Sequence, residues 1–176
     1  MYYLYHKVPK ELEGNILYPL NQLETLLPRT FEKEKEKYRG REMLLQVKIP
    51  FLDCLWNDVL HLTAVPPVEI KKALIEAGRT PDFNMNCFQI DPAMLEAENT
   101  VIYLYTQNSL QDISEENNFR PYDATKISQY SEVPQKTRAY YEELLSEGKK
   151  PLLYHFIPHI LYKGSIDTKN LERITV

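Results

Sequence analysis

Twelve prolines are spread along this chain of 176 residues, and they cut it into short segments. Proline lacks the amide hydrogen that a helix or ladder interior uses, so each one marks a boundary or a first turn. Residues 2–6 read as an aromatic first strand ended near Pro9, with a turn at Gly14-Asn15. Pro19 precedes Leu20, Leu23, Leu26 and Leu27, a helical spacing stopped by Pro28. Thr30 is placed to cap a second helix reaching Tyr38 and closed by Gly40, and residues 44–49 read as a strand.

From Phe51 onward, Leu52, Leu55, Trp56, Val59 and Leu60 recur at i, i+3, i+4, i+7 and i+8. That spacing favours a helix with one apolar face, a loop entering a strand from Asp58 being the alternative. Pro67 starts a clearer helix striped by Ile70, Ala73, Leu74 and Ala77 and stopped at Gly78. Another begins at Pro134, buries Tyr140, Tyr141, Leu144 and Leu145, and ends at Gly148. Residues 87–91, 100–106, 152–156, 159–166 and 172–176 read as strands, residues 107–120 as an exposed loop, and Gly164 as a bulge or close approach. Strands interspersed with short helices and ending in strands predict one α+β domain over residues 1–176, with a largely antiparallel sheet.

Hydrophobic residues make up 43% of the chain and charged ones 26%, which supports a sizeable core. A net charge of -4 leaves no excess of cations to displace counterions, which argues against general nucleic-acid binding and against an anionic membrane surface. No segment reaches the roughly 18 apolar residues of a spanning helix, and the start lacks a basic-then-apolar leader. The cytoplasm is the expected location, with signal-independent export left open. Cys54 and Cys87 form no Cys-x-x-Cys pair and read as buried reduced thiols.

The 5 glycines include no phosphate-cradling spacing, and no Gly-x-Ser-x-Gly is present. His155 and His159 stand four apart, but Pro158 and the lack of a Glu after His155 break the helical zinc pattern, so no metal is assigned. The strongest local constellation is Trp56-Asn57-Asp58 with His61. On a helix, Asp53, Asn57 and His61 form a polar stripe, and Asp58 and His61 touch at i,i+3. A carboxylate there orients the imidazole and holds its charged form for proton transfer. The blander reading is a solvent-facing stripe with a surface ion pair. The 13 tyrosines divide the same way, between core-edge residues and the lining of a ligand cleft.

Tyr5-His6 closing the first strand resembles the opening of ADP-ribosyltransferase-like domains, and Gly14-Asn-Ile-Leu-Tyr-Pro19 resembles the turn that follows in them. Residues 160–166 and 171–176 are similar to the paired closing strands of some members. The resemblance implies that His6 meets the ribose of NAD and that Tyr18 stacks on nicotinamide. It assigns no catalytic Glu.

Two functions follow. In the first, the chain is an enzyme or binding domain for NAD or a related nucleotide, in a tyrosine-lined cleft. His6 and Tyr18 hold the ligand, Arg41 pairs a phosphate and Asn57 makes polar contacts. Asp58 and His61 are the candidate catalytic pair, with Asp58 as the carboxylate facing an oxocarbenium-like centre. His6 and the residues around Asn57 and His61 must then converge on one pocket. In the second, a non-catalytic interaction domain uses the charged run 32–37 and the loop 107–120 as contact surfaces.

Overall fold

Alternation of side chains across short strands sets the architecture, and the computed structural model describes residues 1–107 and 113–176. Four antiparallel strands form the largest sheet, in the order β5 (Leu60–Leu62), β9 (His159–Tyr162), β7 (Thr100–Tyr103) and β8 (Phe119–Pro121). Both faces are buried. Leu60, Leu62, Ile102 and Ile160 enter one apolar cluster, while Val101, Tyr103 and Leu161 enter another on the opposite side with Trp56. Successive residues of each strand thus feed opposite layers, as a period of two requires.

A second antiparallel sheet runs β1 (Leu4–Lys7), β6 (Asn86–Ile90) and β11 (Glu172–Thr175). The two sheets are joined where Tyr5 and Thr63 exchange backbone hydrogen bonds of 2.8 and 3.1 Å. Two-residue pairs complete the strands: β2 (Ile16–Leu17) with β10 (Ile166–Asp167), and β3 (Lys48–Ile49) with β4 (Cys54–Leu55). The fold is α+β with mostly antiparallel sheets.

Helices α1 (Leu20–Leu26) and α2 (Pro28–Lys35) follow β2, and a 3-10 turn (Glu36–Tyr38) extends α2. Helix α3 (Pro67–Glu76) has proline in its first turn and Gly78 at φ 106° just past its end. Helix α4 (Gln135–Ser146) ends at Gly148, φ 70°. α3 and α4 share a third apolar cluster centred on Ile70, Leu74, Tyr141 and Ile157. No helix among the described residues is long and apolar enough to cross a membrane.

Several expectations need correction. Residues 51–62 are not a helix. They run through turns and the short strands β4 and β5, with Phe51 and Asp53 in the left-handed region at φ 70° and 43°. Leu52, Cys54 and Trp56 are buried in alternation, a strand-like period of two that shares Leu52 and Trp56 with the helical stripe but takes Cys54 in place of half-buried Leu55. Of residues 44–49, expected as one strand, 44–46 belong to a 3-10 turn (Glu42–Gln46) and only Lys48–Ile49 form strand β3. Residues 152–156 form turns, with Phe156 at φ 59°. Thr30 does not cap α2, whose first residue is Pro28; its hydroxyl donates to Glu13 instead. Of the expected loop 107–120, residues 108–112 lie outside the described residues, and the end forms a 3-10 turn (Glu116–Asn118) and β8.

Gly164 is a close approach. A Cβ there would overlap the ring of Tyr162, which is 6% exposed and donates its hydroxyl to Glu96. The ring has to swing away to admit a methyl group. Gly164→Ala is therefore expected to cost about 1–2 kcal/mol by overpacking, read as a lower urea midpoint at unchanged slope. Stability equal to the parent's refutes the close approach.

Candidate functional site

The bridge between Tyr5 and Thr63 lays the end of β1 beside β5, and α1 and α2 roof the space next to them. A cavity of about 650 Å³ results, within the range of about 300–1,000 Å³ usual for small-molecule sites. His6 comes to it from β1, Tyr18 from the turn after β2, Asn57 from the turn before β5, His61 from β5 and His159 from the start of β9. Four of the six residues singled out from the sequence, His6, Tyr18, Asn57 and His61, thus line one cavity. They come from segments up to 55 residues apart (61 minus 6).

Asp58 and Arg41 do not line it. The Asp58 carboxylate accepts from the Leu55 N–H at 2.7 Å and from Asn21 Nδ2 at 2.7 Å, which fixes the turn and ties it to α1. The expected contact between Asp58 and His61 rested on a helix that does not form, and the two side chains take separate partners. Arg41 is exposed and donates to the Lys37 carbonyl at 2.7 Å, beside Tyr38.

His61 Nε2 lies 3.0 Å from the Trp56 carbonyl oxygen. A carbonyl only accepts, so Nε2 carries the proton and Nδ1 is left as an acceptor in the neutral ring. The ring also sits against Trp56 and against His159, at centroid separations of 4.6 and 5.9 Å. Burial pushes the pKa of His61 down to about 4, against the opposing pull of the Trp56 carbonyl. His6 is likewise pushed down to about 4, chiefly by burial, with the Lys7 backbone opposing and His61 and Lys37 adding to the effect. His159 falls to about 3, by burial and then by its neighbours His61 and His155. Each ring keeps some open surface because it faces the cavity, while protein encloses its other sides. All three are neutral at pH 7, so the cavity offers hydrogen-bonding imidazoles rather than cations.

The charges stand at the mouth. Lys33 pairs with Glu11 and Lys37 with Glu34, and Thr30 donates to Glu13. The first and third of these contacts tie the segment after β1 to α2. Lys7 and Lys10 also line the cavity and have no ion-pair partner among the described residues. The sequence reading weighed His159 only as a metal partner of His155, and missed the lysines Lys7 and Lys10 and the carboxylates Glu11, Glu13 and Glu34. Of these, only His159, as a histidine opening an apolar strand, carried a local signal. The charged run 32–37, assigned in the interaction-domain reading to a contact surface, contributes Lys33, Glu34 and Lys37 to the mouth. Among the described residues no three His, Cys, Asp or Glu side chains are grouped to hold a metal ion.

Comparison of this chain with protein-family models, with curated proteins and with solved structures returns no match.

Proposed function

We propose that the cavity binds a dinucleotide of the NAD type, as an ADP-ribosyltransferase-like domain does. The observation that carries this reading is that His6, Tyr18, Asn57 and His61 line one cavity although they belong to different elements. Neutral imidazoles suit the hydroxyls of a ribose: a neutral ring carries one donor and one acceptor nitrogen, and His61, whose Nε2 proton goes to the Trp56 carbonyl, keeps Nδ1 as an acceptor. An aromatic side chain such as Tyr18 suits a planar heterocycle. Lys7 and Lys10 at the mouth suit a diphosphate, taking the role first assigned to Arg41. For glycosyl transfer an oxocarbenium-like centre needs a nearby carboxylate. Glu11, Glu13 and Glu34 are the carboxylates lining this cavity among the described residues, whereas Asp58 is committed to the turn.

Thermal unfolding with NAD and with ADP-ribose tests the reading. A ligand present at 100 times its dissociation constant adds about 2.7 kcal/mol to the stability of the native state. The midpoint is expected to rise with either ligand in the parent protein and to stay put in His6→Ala. No rise with either ligand at millimolar concentration sinks the proposal and favours the alternative, a non-catalytic interaction domain.

A further inference from the structure

One polar side chain in the cavity wall does nothing for the fold. Asn57 is 1% exposed, and neither its Oδ1 nor its Nδ2 has a hydrogen-bond partner among the described residues. The groups around it are committed. Its own backbone carbonyl accepts from the Asn21 N–H at 3.1 Å, and the Asp58 carboxylate is taken by Leu55 and Asn21. A buried amide without partners destabilises a protein relative to an apolar residue of similar shape. His6 Nδ1, on another strand lining the same cavity, is orphaned as well. Unmet polar atoms on two elements, both at one cavity, point to a ligand that supplies what the chain does not.

We propose that Asn57 recognises a carboxamide on the ligand, its Oδ1 accepting from the ligand N–H and its Nδ2 donating to the ligand carbonyl oxygen. The inference rests on the ligand-binding reading of this cavity and names the group that is read there. A side-chain amide presents one acceptor and one donor side by side, and its complement is another amide edge. A carboxylate presents two acceptors and would set one against Oδ1. The neighbouring imidazoles, neutral at pH 7, give no countercharge to offset that repulsion. In a dinucleotide of the NAD type the group is the nicotinamide carboxamide. The polar atoms of Asn57 are shielded from water in the free protein, so the proposal requires the cavity wall to give way for the ligand to reach them. The pair then forms out of water, where a mismatched group is rejected most strongly.

Calorimetric titration with NAD and with its analogue bearing nicotinic acid in place of nicotinamide separates the outcomes. The parent protein is expected to prefer NAD by about tenfold or more. Asn57→Leu and Asn57→Ala are each expected to weaken NAD binding by at least about tenfold and to erase the preference. Asn57→Leu, having lost an orphaned amide, is also expected to unfold about 3–6 °C higher without ligand. A merely structural asparagine predicts the opposite sign for that shift. Equal binding of the two dinucleotides by the parent protein, or undiminished NAD affinity in both variants, overturns the role of Asn57 and leaves dinucleotide binding standing. If the parent protein binds neither NAD, ADP-ribose nor nicotinamide, both proposals fall.

Discussion

Lowering the pH from 7 to 5 is expected to remove about 3 kcal/mol of stability, most of it through the three cavity histidines. His6 and His61 titrate near 4 and His159 near 3 in the folded protein, against about 6.5 in the unfolded chain. Between those values the unfolded state binds protons that the folded state refuses, so stability rises with pH across this window. It is fully present above about pH 6.5 and falls as the pH drops toward 4, where the folded rings begin to protonate too. A fully desolvated ring would contribute about 1.8 kcal/mol between pH 7 and 5; because each keeps some surface in the cavity, about half that is the reasonable figure for each. The groups facing these rings do not reverse the sign. His6 faces His61 and Lys37, His61 faces the Trp56 carbonyl, and His159 faces His61 and His155, itself lowered by burial. A carboxylate such as Asp123, held down to about 2, changes its contribution only below the window. Urea unfolding at pH 7, 6 and 5, for the parent and for the double variant His61→Gln with His159→Gln, measures the effect. An unchanged slope against pH in the double variant would remove the histidines as its cause.

Replacing Asp58 with alanine is expected to cost about 2–4 kcal/mol, the value of two charge-assisted hydrogen bonds in a partly buried turn. The loss removes the acceptor for the Leu55 N–H and frees Asn21, which links α1 to the turn through both its side chain and its backbone. Since Asn57 precedes Asp58 in that turn, ligand affinity is expected to fall along with stability. Asp58→Asn should recover part of both, because one oxygen remains to accept while the new amide donor confronts another donor. Equilibrium unfolding and ligand titration on the two variants report this directly. If Asp58→Ala unfolds at the parent's midpoint, the carboxylate is not bracing the turn.

Asp58 shows how the sequence can point to the right segment and the wrong geometry. The boundaries set by proline and glycine were readable because they act locally. Pro67 and Gly78 bracket α3, and Gly148 closes α4, since neither the missing N–H nor the positive φ depends on distant residues. The first strand was readable from its aromatic composition, and with it the position of His6 near the strand's end. Residues 51–62 were not. Leu52 and Trp56 fit both a helical stripe and a period of two, so the apolar spacing leaves the backbone undecided. The choice was made by partners far along the chain. Leu60, His61 and Leu62 pair with Tyr162, Leu161 and Ile160 of β9, and Asp58 reaches back to Asn21.

The twelve prolines with which the chain is punctuated therefore determined, by themselves, that its elements are short; with the order of apolar segments they determined that the fold mixes α and β. Tertiary structure alone decided which polar residues meet. His6 lies near His61 because Tyr5 bridges to Thr63, and Asn57 reaches the cavity because a turn replaces the helix. Local signals arise from the covalent and steric character of single residues. Convergence arises from pairing between strands a hundred residues apart, which no window of the sequence contains.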